Sequence, residues 1–525
     1  MKTKLALFIL LAAVYSFAQV KGPATHRIER DGYSRIFFIT KDGSDEMNRG
    51  TKDNPFKTIQ YAVSKADHPT ESNRTALFVS EGIYDGETIV LKPFIDLYGG
   101  FNRESWERDV GLYPTEINIK QEQRAIVAED NCVIDGFIIS NSEYRGKGAA
   151  IYCDTASPTI SNNKFINNKS LKPLDWNPKY WHETANDGGA IYGKDGAAPL
   201  IKNNLFVNNK TENGRGAAIA FDNECDPRII NNVFFKNESG LDDPMRSSDG
   251  GAVSIFRWSK GFINGNIFLG NYAGSRNDAG AVFIALWSST IVGNNIFVDN
   301  ECTDDAGALF VGGQEHRYDS ALDPFPPREN YYVIIENNYF IANRNPSMNS
   351  GAMRFTMESR GEFVNNIVAQ NNGIYFQRSE AEIRDNVILD NMLVIESKDY
   401  LDQTLIKNNI IWADFVLRET VAEIYDNYML QASKYDGNKN EFPGFLDNGI
   451  DLSVLSACYR KAENYSELVI QDGRELLPEN LSDRIVNAEG RWGVVKNYDN
   501  HILEVWGDLS RVTSIKILPT FTLNY

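Results

Sequence analysis

The middle of the chain repeats a pair in which a large apolar residue follows an asparagine by two positions. Successive apolar positions are 41, 28, 34, 29, 43, 28, 20 and 23 residues apart, and the segments between them are short and rich in Asn and Gly. None of these segments has the 3.6-residue periodicity of an amphipathic helix. The pattern therefore predicts a β-solenoid. Its coils are marked by Phe165, Phe206, Phe234, Phe268, Phe297, Phe340, Val368, Ile388 and Ile411.

Two further regularities predict how the coils stack. A second asparagine commonly follows three residues after the apolar position, and a small-residue step with an aliphatic residue precedes the pair, as in Gly188-Gly189-Ala190-Ile191. Because equivalent residues of stacked coils lie about 4.8 Å apart, we expect an internal stack of Phe rings and a ladder of Asn amides. The small residues indicate a tight bend, after which the aliphatic residue points inward.

The patterning divides the chain into four parts. Residues 1–18 carry Lys2, Lys4, an apolar run and Ser16-Phe17-Ala18, which predicts a cleaved signal peptide and an exported protein. Residues 19–115 are interpreted as an N-terminal cap with the first strands, including a short amphipathic helix that begins in residues 54–63. Residues 116–430 are the coils, and residues 431–525 a C-terminal cap or small β-region. The predicted fold is all-β, a parallel β-helix capped by a helix at one end and by β-structure at the other.

Composition and charge narrow the choice of partner. The net charge of −18 repels nucleic acid and anionic membranes, although a local basic column can still attract an anionic glycan. The five cysteines are too few and too scattered for a disulfide framework. Residues after the signal peptide contain no long apolar run that could anchor the chain in a membrane. We expect a monomer.

A column of charged residues is predicted on one face of the solenoid. It consists of the residue directly before each bend, because the bend and the inward aliphatic residue fix the register. The column reads Lys147, Asp187, Arg215, Asp249, Asp278, Asp305 and Asn349. We expect Arg215 to face solvent. Further outward side chains beside this column are Tyr152, Tyr192, Arg257, Trp258, Trp287 and Arg354. Aromatic plates beside paired charges indicate a groove that binds a polysaccharide.

Two long insertions border this predicted groove. The first contains Trp181 and His182, and the second contains His316 and Arg317, so together they hold two of only five histidines. Long loops in a compact repeat are commonly functional.

Three aspartates in successive coils, Asp249, Asp278 and Asp305, have two interpretations. An Asp before a Gly or Ala bend is a common turn residue that accepts hydrogen bonds from backbone amides. Carboxylates about 5 Å apart also repel one another. Either Ca²⁺ lies between them, or one of them is protonated and acts as a general acid. Calcium is the only cofactor that the sequence suggests.

The repeats resemble those of the right-handed parallel β-helix superfamily of exported carbohydrate-active enzymes, the pectate-lyase-like group. The segment Asp42-Gly43-Ser44-Asp45, followed by residues 54–60 (Asn-Pro-Phe-Lys-Thr-Ile-Gln), is similar to the start of many such bacterial proteins. The resemblance implies a right-handed solenoid and a glycan partner. The bends and Phe-x-x-Asn pairs are also similar to repeats of chlamydial polymorphic outer-membrane adhesins. The chain contains no complete catalytic signature of one lyase or hydrolase family.

Two reactions suit the predicted groove, and β-elimination on uronic acid units of ulvan, alginate or pectin is favoured. Lys147, Arg215 and Arg257 could neutralise the uronate carboxylate, while His182, Tyr152 or Tyr192 could serve as base and acid. The leaving group could be a sugar or a hydroxyl. Substrate contacts are predicted for Trp181, Asp187, Trp258, Trp287, His316, Arg317 and Arg354.

Glycoside hydrolysis is the alternative reaction. Asp249 and Asp278 would have the spacing of a retaining enzyme, and Asp249 and Asp305 that of an inverting one. A non-catalytic glycan-binding or adhesin solenoid is the third interpretation.

Overall fold

The structure is a computed structural model. It describes residues 22–119, 122–175, 177, 185–241, 248–274, 277–313, 331–396, 403–440, 450–461, 464–471, 477, 481–499 and 501–518. The predicted signal peptide of residues 1–18 and the predicted site residues Trp181, His182, His316 and Arg317 lie outside the described residues.

The described residues form a solenoid of parallel strands, in which each coil contributes one strand to each of three long sheets. Sheet 1 has 14 strands. They are Arg35–Ile39, Thr75–Ser80, Ile95–Phe101, Val133–Asp135, Thr159–Ser161, Leu200–Lys202, Arg228–Ile230, Lys260–Asn264, Ser289–Gly293, Val333–Glu336, Arg360–Val364, Glu380–Arg384, Gln403–Lys407 and Val421–Tyr425.

Sheet 2 has 12 strands and carries the predicted bends at its start. Its strands are Ile89–Val90, Ile126–Ala128, Ile151–Asp154, Ile191–Lys194, Ile219–Asp222, Val253–Phe256, Val282–Ile284, Leu309–Gly312, Met353–Thr356, Ile374–Gln377, Met392–Glu396 and Asp414–Arg418.

Sheet 3 has 13 strands and contains the Phe positions of the repeat. Its strands are Gly82–Tyr84, Thr115–Ile117, Phe137–Ser140, Lys164–Ile166, Leu205–Val207, Val233–Phe235, Ile267–Leu269, Ile296–Val298, Tyr339–Ile341, Ile367–Ala369, Val387–Leu389, Ile410–Ile411 and Tyr428–Met429. A fourth, six-stranded sheet joins sheet 3 to the bends. It contains Glu143–Arg145, Lys169–Leu171, Lys210–Thr211, Glu238–Ser239, Tyr272–Ala273 and Glu301–Cys302.

The predicted internal stacks are confirmed. The rings of Phe165, Phe206, Phe234, Phe268, Phe297 and Phe340 are nearly parallel, with successive centroids 4.7–4.8 Å apart. Asn204 shows how the ladder works: its Oδ1 accepts from Asn163 Nδ2 at 3.2 Å, and its Nδ2 donates to Asn232 Oδ1 at 3.0 Å. These buried amides leave no polar group of the ladder unpaired, which offsets the cost of burying them.

The N-terminal cap contains a short helix, Ile59–Lys65, as predicted. Its N-cap residue Thr58 accepts a hydrogen bond from the Tyr61 amide at 3.3 Å. Ile59, Ala62 and Val63 are buried in the same core as the first strands, so the helix closes the apolar end of the solenoid. No helix among the described residues has the length and apolar character needed to span a membrane.

The C-terminal β-region is a closed antiparallel barrel of six strands. It packs against the flank of sheet 3 through Tyr465, Ile485, Val494 and Trp506, which form one apolar cluster with outward residues of the middle coils. The barrel therefore covers the side of the solenoid. Its strands are Ile450–Arg460, Tyr465–Gln471, Ile485–Ala488, Arg491–Asp499, Ile502–Trp506 and Ser514–Ile517. All five cysteines are free thiols.

Candidate active site

The outer face of sheet 2 brings most of the predicted site residues into register. Tyr152 pairs with Tyr192, which is followed along the same row by Ala220, Ser254, Phe283, Phe310 and Arg354. The bends directly before these strands carry the charged column. The predicted alignment of column and row is therefore present.

Lys147 lies at the centre of a connected polar cluster. Its Nζ is 3.3 Å from Tyr192 Oη and 3.5 Å from Asp187 Oδ2. Tyr192 Oη donates to Asp222 Oδ2 at 3.3 Å, and Asp222 accepts two hydrogen bonds from Arg257. Lys147 keeps 20% of its side chain exposed, whereas Tyr192 is 1% exposed. Lys147 is therefore the member of this pair that a ligand can contact.

Arg215 contradicts the expectation that it faces solvent, because it is only 2% exposed. Its Nε and Nη2 donate to the two oxygens of Asp187 at 3.1 and 3.2 Å, and Phe256 covers its guanidinium at 3.8 Å. Asp187 is fully buried and also accepts from the Arg215 amide at 2.8 Å. A carboxylate buried this deeply needs paired donors, which explains why Arg215 lies inside.

Burial and neighbouring charges shift the pKa values of three groups here. Burial, reinforced by Asp222 and Asp187, holds the pKa of Tyr192 well above its usual value of 10.0. The pKa of Tyr152 is also raised, by burial and by Asp154. Burial would raise the pKa of Asp187, but Arg215 and Lys147 together outweigh it and lower that pKa. At neutral pH both tyrosines are protonated and Asp187 is charged.

One member of the predicted aspartate triplet is wrong, because Asp304 takes the place of Asp249. The carboxylates that meet are those of Asp278, Asp304 and Asp305, whose oxygens lie within 4.8 Å of one another. Asp249 instead accepts a hydrogen bond from the Asp278 amide at 2.9 Å, the turn role that an Asp before a bend can take. Oxygen ligands at this spacing suit Ca²⁺. Arg354 pairs with Asp305 at 2.5 Å, so one carboxylate is already partly neutralised.

Trp258 and Trp287 form a parallel pair at the far end of their strands. Their ring centroids are 6.1 Å apart with an interplanar angle of 9°, and both side chains are partly exposed. Both residues have positive φ, 55° and 56°, which is rare for bulky residues. The equivalent turn of the preceding coil also has positive φ, at Asn223 and Glu224, so this backbone conformation belongs to the repeat.

The predicted groove is not continuous, because the middle of this face is apolar and buried. Phe256, Phe283 and Phe310 are 1%, 4% and 1% exposed and form an apolar cluster with neighbouring alanines. The Lys147 cluster and the Asp278 cluster are thus separated by buried apolar side chains. The predicted site residues fall into these two groups and the Trp pair.

Two residues of this region were not predicted. Asp304 belongs to the doublet Asp304-Asp305, a signal that was present in the sequence. Arg124 stacks between the rings of Tyr144 and Tyr152, with its Cζ 4.2 Å from each ring centroid. It stands where the bends of later coils carry Gly or Ala, so Arg124-Ala125-Ile126 was also a detectable departure from the repeat.

Comparison with known proteins identifies the fold. The family model described as "Right handed beta helix region" matches residues 115–316. This match and the parallel sheets confirm the predicted right-handed β-helix fold. No curated protein matches the chain in sequence.

Several solved structures are similar. The GH136 lacto-N-biosidase from Eubacterium ramulus is 11% identical over 77% of this chain and 67% of its own, with a TM-score of 0.30. XylC in complex with xylose is 11% identical over 92% and 100%, with a TM-score of 0.36. The tailspike protein of E. coli bacteriophage HK620, in complex with pentasaccharide, is 9% identical over 90% of both chains, with a TM-score of 0.27. These likenesses give no information on the reaction of this chain.

Proposed function

We propose that this protein is an exported carbohydrate-active enzyme that cleaves or dehydrates a uronate-containing poly- or oligosaccharide by β-elimination. The main support for this proposal is the position of Lys147. Its partly exposed ammonium group is fixed between the Tyr192 hydroxyl and the Asp187 carboxylate. Its Nζ lies over the Tyr192 ring, 4.9 Å from the centroid, and that ring stacks on Tyr152 with the two centroids 5.9 Å apart. A fixed cation beside a phenol matches two of the three groups that the reaction needs.

Local charge supports an anionic substrate. Lys147, Arg215 and Arg257 supply three positive charges, and Asp187 and Asp222 supply two negative ones, so these five side chains carry a net charge of about +1. The whole chain has a net charge of −18. A positive cluster on an acidic protein favours a carboxylate at this one place.

The roles follow from exposure and pKa. Lys147 binds the carboxylate on C5 of the uronate and makes the C5 proton more acidic. Tyr152 is partly exposed and protonated, so it donates its proton to the leaving oxygen on C4. His182 lies outside the described residues and keeps the role predicted from the sequence, the base that removes the C5 proton and leaves a double bond between C4 and C5. Tyr192 is buried and acts by positioning Lys147.

Arg215 and Arg257 take supporting roles in this proposal. Each forms two hydrogen bonds with one buried carboxylate, Asp187 for Arg215 and Asp222 for Arg257. Charge committed to a bidentate pair is poorly available to a substrate. We therefore assign these pairs to the rigid support of Lys147 and Tyr192.

The parallel rings of Trp258 and Trp287 are proposed to stack on sugar rings further along the solenoid. Sugar rings present apolar C–H faces, and partly exposed aromatic rings bury such faces at low entropic cost. The pair lies on adjacent coils. It would hold a glycan extended along the solenoid axis.

Hydrolysis remains the second candidate because of one observation. The oxygens of Asp278, Asp304 and Asp305 lie within 4.8 Å of one another, near the separation of about 5–5.5 Å between the carboxyl groups of retaining glycosidases. This cluster shares Asp278 and Asp305 with the predicted Ca²⁺ triplet, and it is also the strongest candidate for a carboxylate pair among the described residues.

Incubation with ulvan, alginate and pectin distinguishes these functions. Elimination creates a conjugated product, so absorbance in the near ultraviolet should rise together with the number of chain ends or, for dehydration, without it. New reducing ends without absorbance would identify a hydrolase. Binding with neither change would identify a non-catalytic glycan-binding protein.

A further inference from the structure

Arg124 has a charge that no described carboxylate neutralises. Its Nε donates to the Gly148 carbonyl at 2.9 Å and its Nη2 to the Lys147 carbonyl at 2.8 Å. Its other contacts within the described part of the chain are the faces of two phenol rings, those of Tyr144 and Tyr152. Arg215, Arg257 and Arg354 of this face each contact a carboxylate, and Arg124 differs from these three arginines.

The guanidinium of Arg124 is held rigidly next to Lys147. It binds the bend from which Lys147 projects, and a Cβ at Gly148 would lie 2.7 Å from the Ile151 carbonyl, so this bend is tightly packed. The side chain is partly exposed. Burial lowers the pKa of Arg124 while the neighbouring phenols counteract that effect, and a guanidinium stays protonated at neutral pH in either case.

A fixed cation that no carboxylate of the described residues pairs, in a partly desolvated position, favours a compensating anion. Its neighbours Tyr152 and Lys147 are the two residues that the proposed function places on the uronate. A carboxylate bound beside Tyr152 would lie between an ammonium on one coil and a guanidinium on the preceding coil. Planar guanidinium groups are well suited to recognise carboxylates.

We propose that Arg124 determines the specificity of this site for an anionic sugar, by supplying the charge that distinguishes a uronate from the corresponding neutral sugar. This inference rests on the proposed function. It assigns carboxylate selection to Arg124 together with Lys147, in place of Arg215 and Arg257.

The test compares binding of acidic and neutral forms of the same glycan. Oligosaccharides of ulvan, alginate and pectin, and their carboxyl-reduced forms, are titrated by calorimetry into the full-length protein and into R124Q and R124K. R124Q keeps a donor for the bend but loses the charge, whereas R124K keeps the charge. Because the charge acts over a short distance, we expect R124Q to lower the preference for the acidic form by about fivefold to tenfold. R124K should retain it within about twofold.

Each of the following outcomes would overturn the assignment. An unchanged preference in R124Q shows that Arg124 does not select the carboxylate. Equal loss of affinity for both forms in R124Q shows that it only supports the bend, and thermal melts of the same samples identify unfolding. If R124Q does not fold, a preference lost in the folded R124K variant contradicts the charge argument. A wild-type protein that binds no glycan in either form contradicts the proposed function itself, and this inference with it.

Discussion

The carboxylate of Asp187 accepts two side-chain hydrogen bonds from Arg215, and both residues are almost completely buried, at 0% and 2% exposure. The same carboxylate lies 3.5 Å from the partly exposed Lys147 ammonium. A buried ion pair thus supports an accessible charge. Arg215 was expected to face solvent and bind the substrate, whereas in the structure it is buried and supports Asp187.

The variant R215A is expected to unfold more easily. Removing Arg215 leaves the buried Asp187 charge without its main donors, a change that costs about 3–5 kcal/mol. Urea denaturation at pH 7 measures the free energy of unfolding. R228A, which removes an exposed arginine of sheet 1, is the control and should change it by less than about 0.5 kcal/mol. Equal stability of R215A and R228A would contradict the buried pair.

The sequence was sufficient to predict the stacking of the coils, because the backbone spacing of adjacent coils places equivalent residues next to one another. A Phe or Asn at a fixed place in each coil can only stack on its equivalent in the next coil, so Phe206 and Asn204 were predictable. The small-residue bends fixed the register of the charged column in the same way. Handedness came from the resemblance, which the family match confirms.

The burial of side chains on the outer face was not predictable from the repeat. Arg215 and Phe283 occupy outward positions by register, yet they are 2% and 4% exposed. Register determines which way a side chain points but not what packs over it. Arg124 was not predicted for a related reason, because its contacts join two coils and depend on rings that the repeat does not specify.

Tyr152 and Tyr192 are expected to differ in their effect on turnover. Y152F removes the proposed acid and should lower kcat by about 10²–10⁴-fold, with little change in KM. Y192F removes the buried hydroxyl that accepts from Lys147 and donates to Asp222, and should lower kcat less. Y332F, at an exposed tyrosine of sheet 1, is the control and should leave kcat unchanged. A larger loss in Y192F than in Y152F would show that the buried phenol is the acid.

The raised pKa of Asp390 predicts that this residue makes the stability of the protein depend on pH. The second asparagine of each repeat also forms a ladder, and Asp390 takes the place of the asparagine after Asn371, where it accepts a hydrogen bond from Asn371 Nδ2 at 2.8 Å. Burial raises the pKa of Asp390 from 3.8 to about 6. Because the folded-state pKa is above the unfolded one, its contribution is fully present below about pH 4 and is lost as pH rises through about 6.

The variant D390N tests this sign. The stability of D390N relative to wild type should increase by about 1–3 kcal/mol from pH 4 to pH 7, because only the wild type loses the contribution of Asp390 over this range. Denaturation at a series of pH values gives this difference, and any constant cost of the substitution cancels. A difference that is flat with pH, or that changes in the opposite direction, would disprove the raised pKa.

Calcium is expected to stabilise the protein through Asp278, Asp304 and Asp305. An ion shared by three carboxylates relieves their mutual repulsion and binds only the folded chain. Millimolar Ca²⁺ added to chelator-treated protein should raise Tm, and D304N should abolish that rise while D226N, at an exposed aspartate outside the cluster, should retain it. A Tm that does not respond to Ca²⁺ in the wild type would leave the carboxylates as a candidate hydrolytic pair.

The most direct test of the proposed reaction is mass spectrometry of the products formed from a uronate glycan. Elimination leaves a double bond in the sugar at the new non-reducing end, so that this product is lighter by one water than its hydrolytic counterpart. We predict the lighter product for the wild type and its loss in K147M. A product of full hydrolytic mass, formed equally well by K147M, would contradict elimination at Lys147.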